Sequence, residues 1–406
     1  MARKSYKYRL YPIKKQEQRL EKALDQACFL YNQMLDIHKQ IFLSEEKSLS
    51  YFDMNKIIKD FETKQLHSQV KQNISKRLSD AFKNFFRRCK NGETPGFPKF
   101  HKRVFYNSIT FPQFKAKIKD NKIKLPRIGN ISIVEHRKIE GKIKTLTIKK
   151  ENNEWYSIFS CDEVPVEEVK TEFKSKVEGI DVGIKKFLVC SNGKEVESPN
   201  FLRKSEKKLR RLNKKHSKKK KKSKNKIKSR IKLSKQYVKV RRQREDFHKK
   251  LARKLAMEIK YIGIEDLNIK GMVRNHCLAK SISDAGWGQF TSYLKYYKTI
   301  FDGEIIKIGR FEPTSKTCSN CGNKQDMPLN KRTFKCSGCG LKIDRDLNAS
   351  INIKKLTIKK LVEKIKSNTD GQSEIYVCGD SIRPVFEFTQ EKAIVGETEN
   401  YREIIC

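Results

Sequence analysis

The sequence predicts an α+β multidomain protein, and three observations predict it. Two long stretches near the start carry apolar residues at helical spacing. Residues 103–162 break into short β-rich runs, and the second half alternates strands with helices around four closely spaced cysteines.

Residues 4–11 alternate as a strand does, and Pro12 ends the run. From about 14 to 40, Leu20, Leu24, Ala27, Tyr31, Met34 and Leu35 recur at helical spacing and mark a long amphipathic helix. Val70, Ile74, Leu78, Ala81, Phe82, Phe85 and Phe86 repeat the pattern from about 67 to 88. The loop NGETPGFPKFHKR follows, broken by Pro95, Gly96 and Pro98. SITF, KIKL, GNISIV, KIKTLTIKK and EWYSIFS then read as strands of a small antiparallel barrel or sheet. EVPVEEVKTEFKS, residues 163–175, is polar and interrupted by proline, as a linker is. KVEGIDVGIKKFLVCSNG reads as a strand, a tight turn and a second strand.

Residues 203–254 are dominated by Lys and Arg and include KKHSKKKKKSKNKIKSR. Leu202, Leu209 and Leu212 before the polylysine, and Ile227, Ile231, Val238, Leu251 and Leu255 after it, keep helical spacing. They predict two basic helices with the polylysine at or near their junction; the alternative is a solvated tether. YIGIEDLNI is a buried strand ending in acids. SISDAGWGQFTSYLKYYKTIF is a helix capped by Ser283 or Asp284 and packed through Trp287, Phe290, Leu294 and Tyr297. GEIIKIG makes another strand, and residues 372–406 are expected to form a loose tail.

The chain has 406 residues, room for two or three domains, with 92 Lys+Arg against 47 Asp+Glu. A net charge of +45 repels itself and calls for a polyanion: nucleic acid first, an acidic membrane surface second. No apolar run approaches the roughly 20 residues of a membrane span. The start, MARKSYKYRLYP, lacks the apolar core of a signal peptide, so the expected location is the cytosol, where disulfides are rare. Seven of the eleven cysteines (Cys28, Cys89, Cys161, Cys190, Cys277, Cys378 and Cys406) are scattered and read as ordinary thiols.

The other four form Cys318-x2-Cys321-x14-Cys336-x2-Cys339. Gly322 and Gly340 follow the pairs and permit tight knuckle turns that aim backbone N–H groups at sulfur. Four thiolates suit one tetrahedral Zn²⁺ in a closed, structural site, which leaves no position for a reactive water. Catalysis must lie elsewhere, and carboxylates are the candidates. Asp181 sits in GIDVG, between Gly179 and Gly183, where missing side chains would admit a nucleic-acid backbone. Glu265 ends the apolar run YIGIE, and Asp346 lies at the helix opening DRDLNASINI. An acid on one strand, an acid ending a second and an acid at a helix start form an RNase H-type arrangement. Its carboxylates hold two divalent cations for phosphodiester cleavage, and Mg²⁺ suits oxygen ligands and phosphate.

GIDVGIKKFLVCSNG, IGIEDLNIKGM, FEPTSKTCSNCG, CSGCG and DRDLNASINI together resemble the TnpB family of transposon-encoded RNA-guided nucleases, and the related miniature type V CRISPR effectors. KYRLYPIKKQEQRLEKAL and the PGFPKF loop are similar to the family's N-terminal half, so the resemblance covers roughly residues 1–355. One departure is Ser350, where the family usually has Ala. The resemblance implies a wedge-type β-barrel from residues 1–12 and 102–165, with a helical recognition insertion at 13–101. After a linker at 166–174 it implies a RuvC nuclease domain at 175–314 and 343–371, with the basic helical segment 203–254 inside it and the zinc ribbon 315–342 inserted. It matches Asp181, Glu265 and Asp346 to the RuvC triad, with Asp344 a rival for the third place; Asp346 is preferred because it precedes x-Asn-Ala.

The family's partners are a guide RNA and double-stranded target DNA that becomes unwound, in a prokaryotic cytoplasm at the nucleoid. Lys218, Lys219, Lys220, Lys221 and Lys222 are candidates for guide-RNA contact, and Tyr51, Gln72, Asn73 and Thr110 for reading a short flanking DNA motif, against plain surface or packing roles. The expected activity is a guide-RNA-directed, Mg²⁺-dependent DNA endonuclease of a mobile element. The rivals are an RNA-guided repressor without cleavage, a cut-and-paste transposase, and a basic zinc-ribbon RNA-binding protein.

Overall fold

Tyr6, Tyr8 and Leu10 alternate into the core along the first strand, β1 (Ala2–Tyr11), and Pro12, which has no N–H to give a ladder, follows it. In the computed structural model, residues 2–114, 118–164, 172–328, 331–368, 373–378 and 381–386 are described. The chain divides into two units, residues 1–167 and 168–406.

In the first unit α1 (Lys14–Glu45) is longer than its sequence pattern, and it buries one stripe that includes Leu20, Leu24, Ala27, Tyr31, Met34 and Leu35. A short helix, α2 (Tyr51–Ile57), was not anticipated. It is started by a reciprocal cap, in which Ser50 Oγ accepts from Asp53 N while Asp53 accepts from Ser50 N. α3 (Ser68–Lys90) packs on α1, with Phe82 stacked 3.9 Å from His38. After a 3₁₀ turn at Arg103–Phe105 come β2 (Ser108–Phe111), β3 (Lys122–Leu125), β4 (Gly129–Val134), β5 (Lys142–Glu151) and β6 (Glu154–Val164). These are the five runs read as strands. With β1 they form an antiparallel sheet of order β2-β5-β6-β1-β4-β3. Among the described residues no ladder joins β2 to β3, so the sheet is not closed into a barrel by hydrogen bonds.

The second unit is built on a five-stranded sheet of order β11-β10-β7-β8-β9. β7 (Ser175–Val182), β8 (Lys186–Cys190) and β9 (Glu195–Glu197) run as antiparallel neighbours. Then come the basic helices α4 (Phe201–Ser217) and α5 (Lys224–Glu258), and β10 (Ile259–Glu265), which lies parallel to β7. α6 (Ile269–Met272), α7 (His276–Ala285) and α8 (Trp287–Ile300) lead to β11 (Glu304–Ile308), parallel to β10. The stretch 281–301 is not one helix capped by Ser283 or Asp284. Gly286, at φ 65°, ends α7 and starts α8. Asp284 instead accepts from Leu202 N at 3.1 and 3.2 Å and so caps α4, whose Asn200 supplies no side-chain cap.

The two faces of this sheet are covered differently. Ile180, Leu188, Ile262 and Ile264 pack with Leu251, Leu255, Trp287, Phe290 and Leu294 of α5 and α8. On the other face lies α9 (Arg345–Asn368), against Val177, Ile306 and Ile308. A small hairpin, β12 (Thr333–Lys335) and β13 (Lys342–Asp344), precedes it. The stretch 372–406 is not loose throughout: β14 (Ser373–Cys378) pairs with β15 (Ser381–Phe386). SEIYVC and SIRPVF carry β-branched and aromatic residues on either side of Gly379-Asp380, a hairpin signal in sequence. Cys406 and the rest of that stretch lie outside the described residues. Among the described residues no helix is long and apolar enough to cross a membrane.

Candidate functional site

Cys318 and Cys321 lie on the turn that follows Pro313–Thr317, and Cys336 and Cys339 on the turn between β12 and β13. All four thiols are free of disulfides, and their sulfurs lie within 4.8 Å of one another, the one such group of His, Cys, Asp or Glu among the described residues. Sγ of Cys318 is 3.7 Å from that of Cys339, and Sγ of Cys321 is 3.5 Å from that of Cys336. A tetrahedron of 2.3 Å metal–sulfur bonds has edges of about 3.8 Å, so the spacing fits a four-coordinate ion.

Backbone geometry adds to the fit. Gly322 and Gly340 hold φ of 76° and 73°, and the turns aim N–H groups at sulfur: Asn320 N at Cys318 Sγ, 3.4 Å, and Gly338 N at Cys336 Sγ, 3.4 Å. The N–H groups of Cys339 and Gly338 draw the Cys336 thiol down to about 6, and that of Leu341 lowers Cys339. At Cys321 the Asn323 N–H pulls downward too, but the Cys339 and Cys336 sulfurs outweigh it and push the thiol up to about 11. Four thiolates this close would repel one another, and a cation between them would relieve that repulsion.

The second constellation follows from register. β7 and β10 pair in parallel with Ile180 opposite Ile264, so Asp181, next to last in β7, and Glu265, last in β10, follow one step further on neighbouring strands. Both acids follow a glycine at i−2, and period-two alternation puts them on the face that α9 covers. A Cβ on Gly179 would overlap the Ser350 carbonyl and the Lys354 amide of α9, and one on Gly263 would overlap Thr357. The space beside Gly179 is therefore filled by a helix backbone and does not admit a nucleic acid. At Gly183 the Lys186 carbonyl would lie 2.8 Å from a Cβ, so that glycine serves its own turn.

The close approach of α9 also sets the third acid. From Gly179 to Asp181 is two strand residues, about 6.6 Å; from Ser350 back to Asp346 is four helical residues, about 6 Å. The contact at Gly179 thus carries Asp346 towards Asp181. Asp181 keeps part of its surface open, yet its carboxyl is pushed well above the usual carboxylate range. Burial among protein atoms is the first cause, and the charges of Glu265 and then Asp346 add to it. The three side chains interact, although their oxygens are not all within the 4.8 Å that unites the cysteines. The donor set is all oxygen, and the Val182 amide and the Arg345 charge offset the repulsion at Asp181 only in part, which fits a hard divalent cation.

Neighbours fix each acid differently. Thr314 Oγ1 donates to Glu265 Oε1 at 2.5 Å, and Arg332 Nη1 lies 3.6 Å from Asp346 Oδ2. Asp344 is occupied elsewhere: its Oδ1 accepts from the Asp346 and Leu347 amides at 2.9 and 3.2 Å, and its Oδ2 is 3.3 Å from Lys186 Nζ. It is the N-cap of α9. Sequence reading missed Thr314, and with it Asn348 and Asn352, two buried asparagines one turn apart on α9 that hold the loop before Cys318. Their spacing in NASIN was the one available signal.

The comparisons agree with these motifs in order along the chain. A family model described as "Probable transposase" matches residues 159–276, one described as "Cas12f1-like, TNB domain" matches 287–353, and one described as "Helix-turn-helix domain" matches 1–47, a span that folds as β1 and the whole of α1. A "Putative RNA-guided DNA endonuclease" of Streptomyces pristinaespiralis is 27% identical over 395 residues, 94% of this chain and 92% of that protein. A "TnpB-like protein" of Acanthamoeba polyphaga mimivirus is 25% identical over 231 residues, 53% of this chain and 44% of that one. The chain belongs to the TnpB family. The "Putative RNA-guided DNA endonuclease InsQ" of Escherichia coli (strain K12) is 26% identical over 86% of this chain and 91% of its own. A solved structure of the mini-RNA-guided endonuclease CRISPR-Cas_phi3 aligns over 88% of this chain and 92% of that one at 11% identity, with a TM-score of 0.46.

The nucleic-acid candidates carried over from the TnpB family fall in both units. Tyr51 opens α2, half-buried, and Gln72 and Asn73 lie on α3, exposed and half-buried. Thr110, on β2, accepts from Arg77 Nη2 at 3.0 Å and pairs with Thr147 Oγ1 at 2.9 Å, so its hydroxyl is engaged in packing. Lys218 to Lys222 are all exposed and link α4 to α5, an ordered junction and not a tether.

Proposed function

We propose that this protein is a guide-RNA-directed, Mg²⁺-dependent endonuclease of a mobile element. It cuts double-stranded target DNA beside a short flanking motif, and Asp181, Glu265 and Asp346 hold the metal. The observation that carries this reading is the meeting of three acids from two parallel strand ends and the first turn of α9, in a chain of net charge +45. The names of its relatives, which span nearly its whole length, support it.

Bound there, divalent cations supply the activation of water and the neutralisation of phosphate charge that phosphodiester hydrolysis needs. The protein's own part is to hold the oxygens in place: Thr314 fixes one oxygen of Glu265, and Asp344 caps the helix that presents Asp346. Zn²⁺ in the four cysteines holds the ribbon. In this reading, residues 1–12 and 102–165 form a wedge domain built on the open six-stranded sheet, 13–101 the recognition insertion, and 175–314 with 343–371 the RuvC domain around the ribbon 315–342. The basic helices hold guide RNA.

The test is cleavage of a plasmid library with randomised flanking sequence, by protein purified with its RNA, with and without Mg²⁺. Mg²⁺-dependent cutting of the matched target, lost in Asp181→Ala while RNA binding persists, is the expected result. Binding of the matched target without cutting by the unaltered protein would favour an RNA-guided repressor.

A further inference from the structure

The loop that enters the cysteine ribbon does more than connect. Thr314 is 5% exposed, and its hydroxyl donates to Glu265 Oε1 at 2.5 Å, a contact between residues 49 apart in sequence. Its carbonyl accepts from Asn352 Nδ2 at 2.8 Å, and the same amide donates to the Thr317 carbonyl at 2.6 Å. One turn earlier on α9, Asn348 Nδ2 donates to the Thr317 carbonyl at 2.8 Å, and Asn348 Oδ1 accepts from Ser319 N at 2.9 Å. Asn348, Asn352 and Ser319 are themselves buried. The backbone between Pro313 and Cys318 is therefore clamped to the helix that presents Asp346, and its one hydroxyl aimed at the sheet reaches Glu265.

A glutamate carries three rotatable bonds, and in the absence of a partner its carboxylate samples several positions. A single donor on Oε1 fixes the group while leaving Oε2 and a remaining lone pair on Oε1 as acceptors. A ligand held this way is preorganised for a cation, and partners of this kind are typically worth 10–100-fold in metal affinity. We infer that Thr314 is a positioning residue for Glu265, through which the cysteine ribbon and α9 together set the carboxylate centre. This rests on the proposed metal role of Glu265.

The test uses the full-length, zinc-loaded chain as Thr314→Val, which keeps the shape and removes the donor, and Thr314→Ser, which keeps the donor. Mn²⁺ affinity is read by titration calorimetry, the Mg²⁺ concentration for half-maximal cleavage by plasmid assay, and zinc content by elemental analysis. Thr314→Val is expected to weaken Mn²⁺ binding and raise the Mg²⁺ requirement by about tenfold or more with zinc content unchanged, and Thr314→Ser to restore both. Unchanged Mn²⁺ affinity in Thr314→Val overturns the inference. So does a loss of zinc in that variant, which would make Thr314 a structural residue of the ribbon, and so does failure of serine to restore binding. Asp181→Ala separates the two levels. Should it bind Mn²⁺ and cut as the unaltered protein does, the proposed centre itself is wrong. Should it lose both while Thr314→Val keeps both, the positioning role alone fails.

Discussion

Asp344 and Asp346 are two residues apart, and the structure gives their carboxylates different work. Asp344 accepts from the amides of the first turn of α9, which an asparagine does as well, whereas the charge of Asp346 reaches Asp181. Asp344→Asn should therefore keep most cleavage activity and Asp346→Asn should fall to background. Asp344→Ala should lose about 1 kcal/mol of stability with the cap. Equal loss of cleavage in the two asparagine variants, at unchanged stability, would reverse the assignment. The sequence names both acids but does not separate them, because a cap and a metal ligand use the same carboxylate and only the partner distinguishes them. His248 offers a second residue-scale test. It is buried, its Nε2 lies 2.9 Å from the Ala285 carbonyl, and burial, with the nearby Arg244 charge, holds it down to about 4. An unfolded histidine protonates near 6.5 while the folded one stays neutral. The stability this contributes is whole above pH 6.5 and is lost as pH falls towards 4. Tm should therefore drop more steeply between pH 7 and 4.5 in the unaltered protein than in His248→Gln, and parallel profiles would refute it.

At the scale of elements, the meeting of the acids depends on two glycines more than on the acids. Gly179 and Gly263 present no side chain to α9; the helix backbone lies where a Cβ on Gly179 would stand, and the Thr357 side chain where one on Gly263 would. Gly179→Ala should push α9 off the sheet, cost about 1–3 kcal/mol as overpacking does, and lower cleavage by moving Asp346. An unchanged Tm with full activity would show that α9 has room to yield. Sequence reading placed β7, β10, β11 and the two basic helices because each carries its period locally. It misread Gly179 as an opening because a strand glycine has the same local signature whether a ligand or a helix fills the gap. Asp284 was misread for a similar reason: it caps α4 across 82 residues of sequence, which no local pattern reports. The seven-residue α2 is too short for a periodic signal, and only the Ser50–Asp53 pair marks it.

For the whole molecule, charge decides more than shape. The cysteine cluster was legible, since its four members lie within 22 consecutive residues and the spacing brings their sulfurs together. The three acids were legible as an ordered set of motifs, while the hydrogen bonds of Thr314, Asn348 and Asn352 around them depend on tertiary contacts. What composition alone indicates is an electrostatic partner, and the structure shows where the densest charge lies. Lys218 to Lys222 are all exposed at the junction of α4 and α5, and the helices on either side carry further Lys and Arg. The junction is held in place: Lys226 Nζ donates to the His216 carbonyl at 2.8 Å, and Ser223 caps α5. Five like charges on an ordered turn repel one another, and a phosphate backbone relieves that repulsion while releasing its own counterions. Replacing Lys218 to Lys222 by alanine should weaken binding of the co-purified RNA and flatten its dependence on salt. The log–log slope should shrink by about 0.7 for each lysine engaged on a single strand and about 0.9 on a duplex. Binding is measured by filter retention at four or more salt concentrations, because a single concentration cannot separate lost contacts from lost fold. An unchanged slope with unchanged affinity would mean that these lysines stay solvated and that RNA is held along the helices themselves.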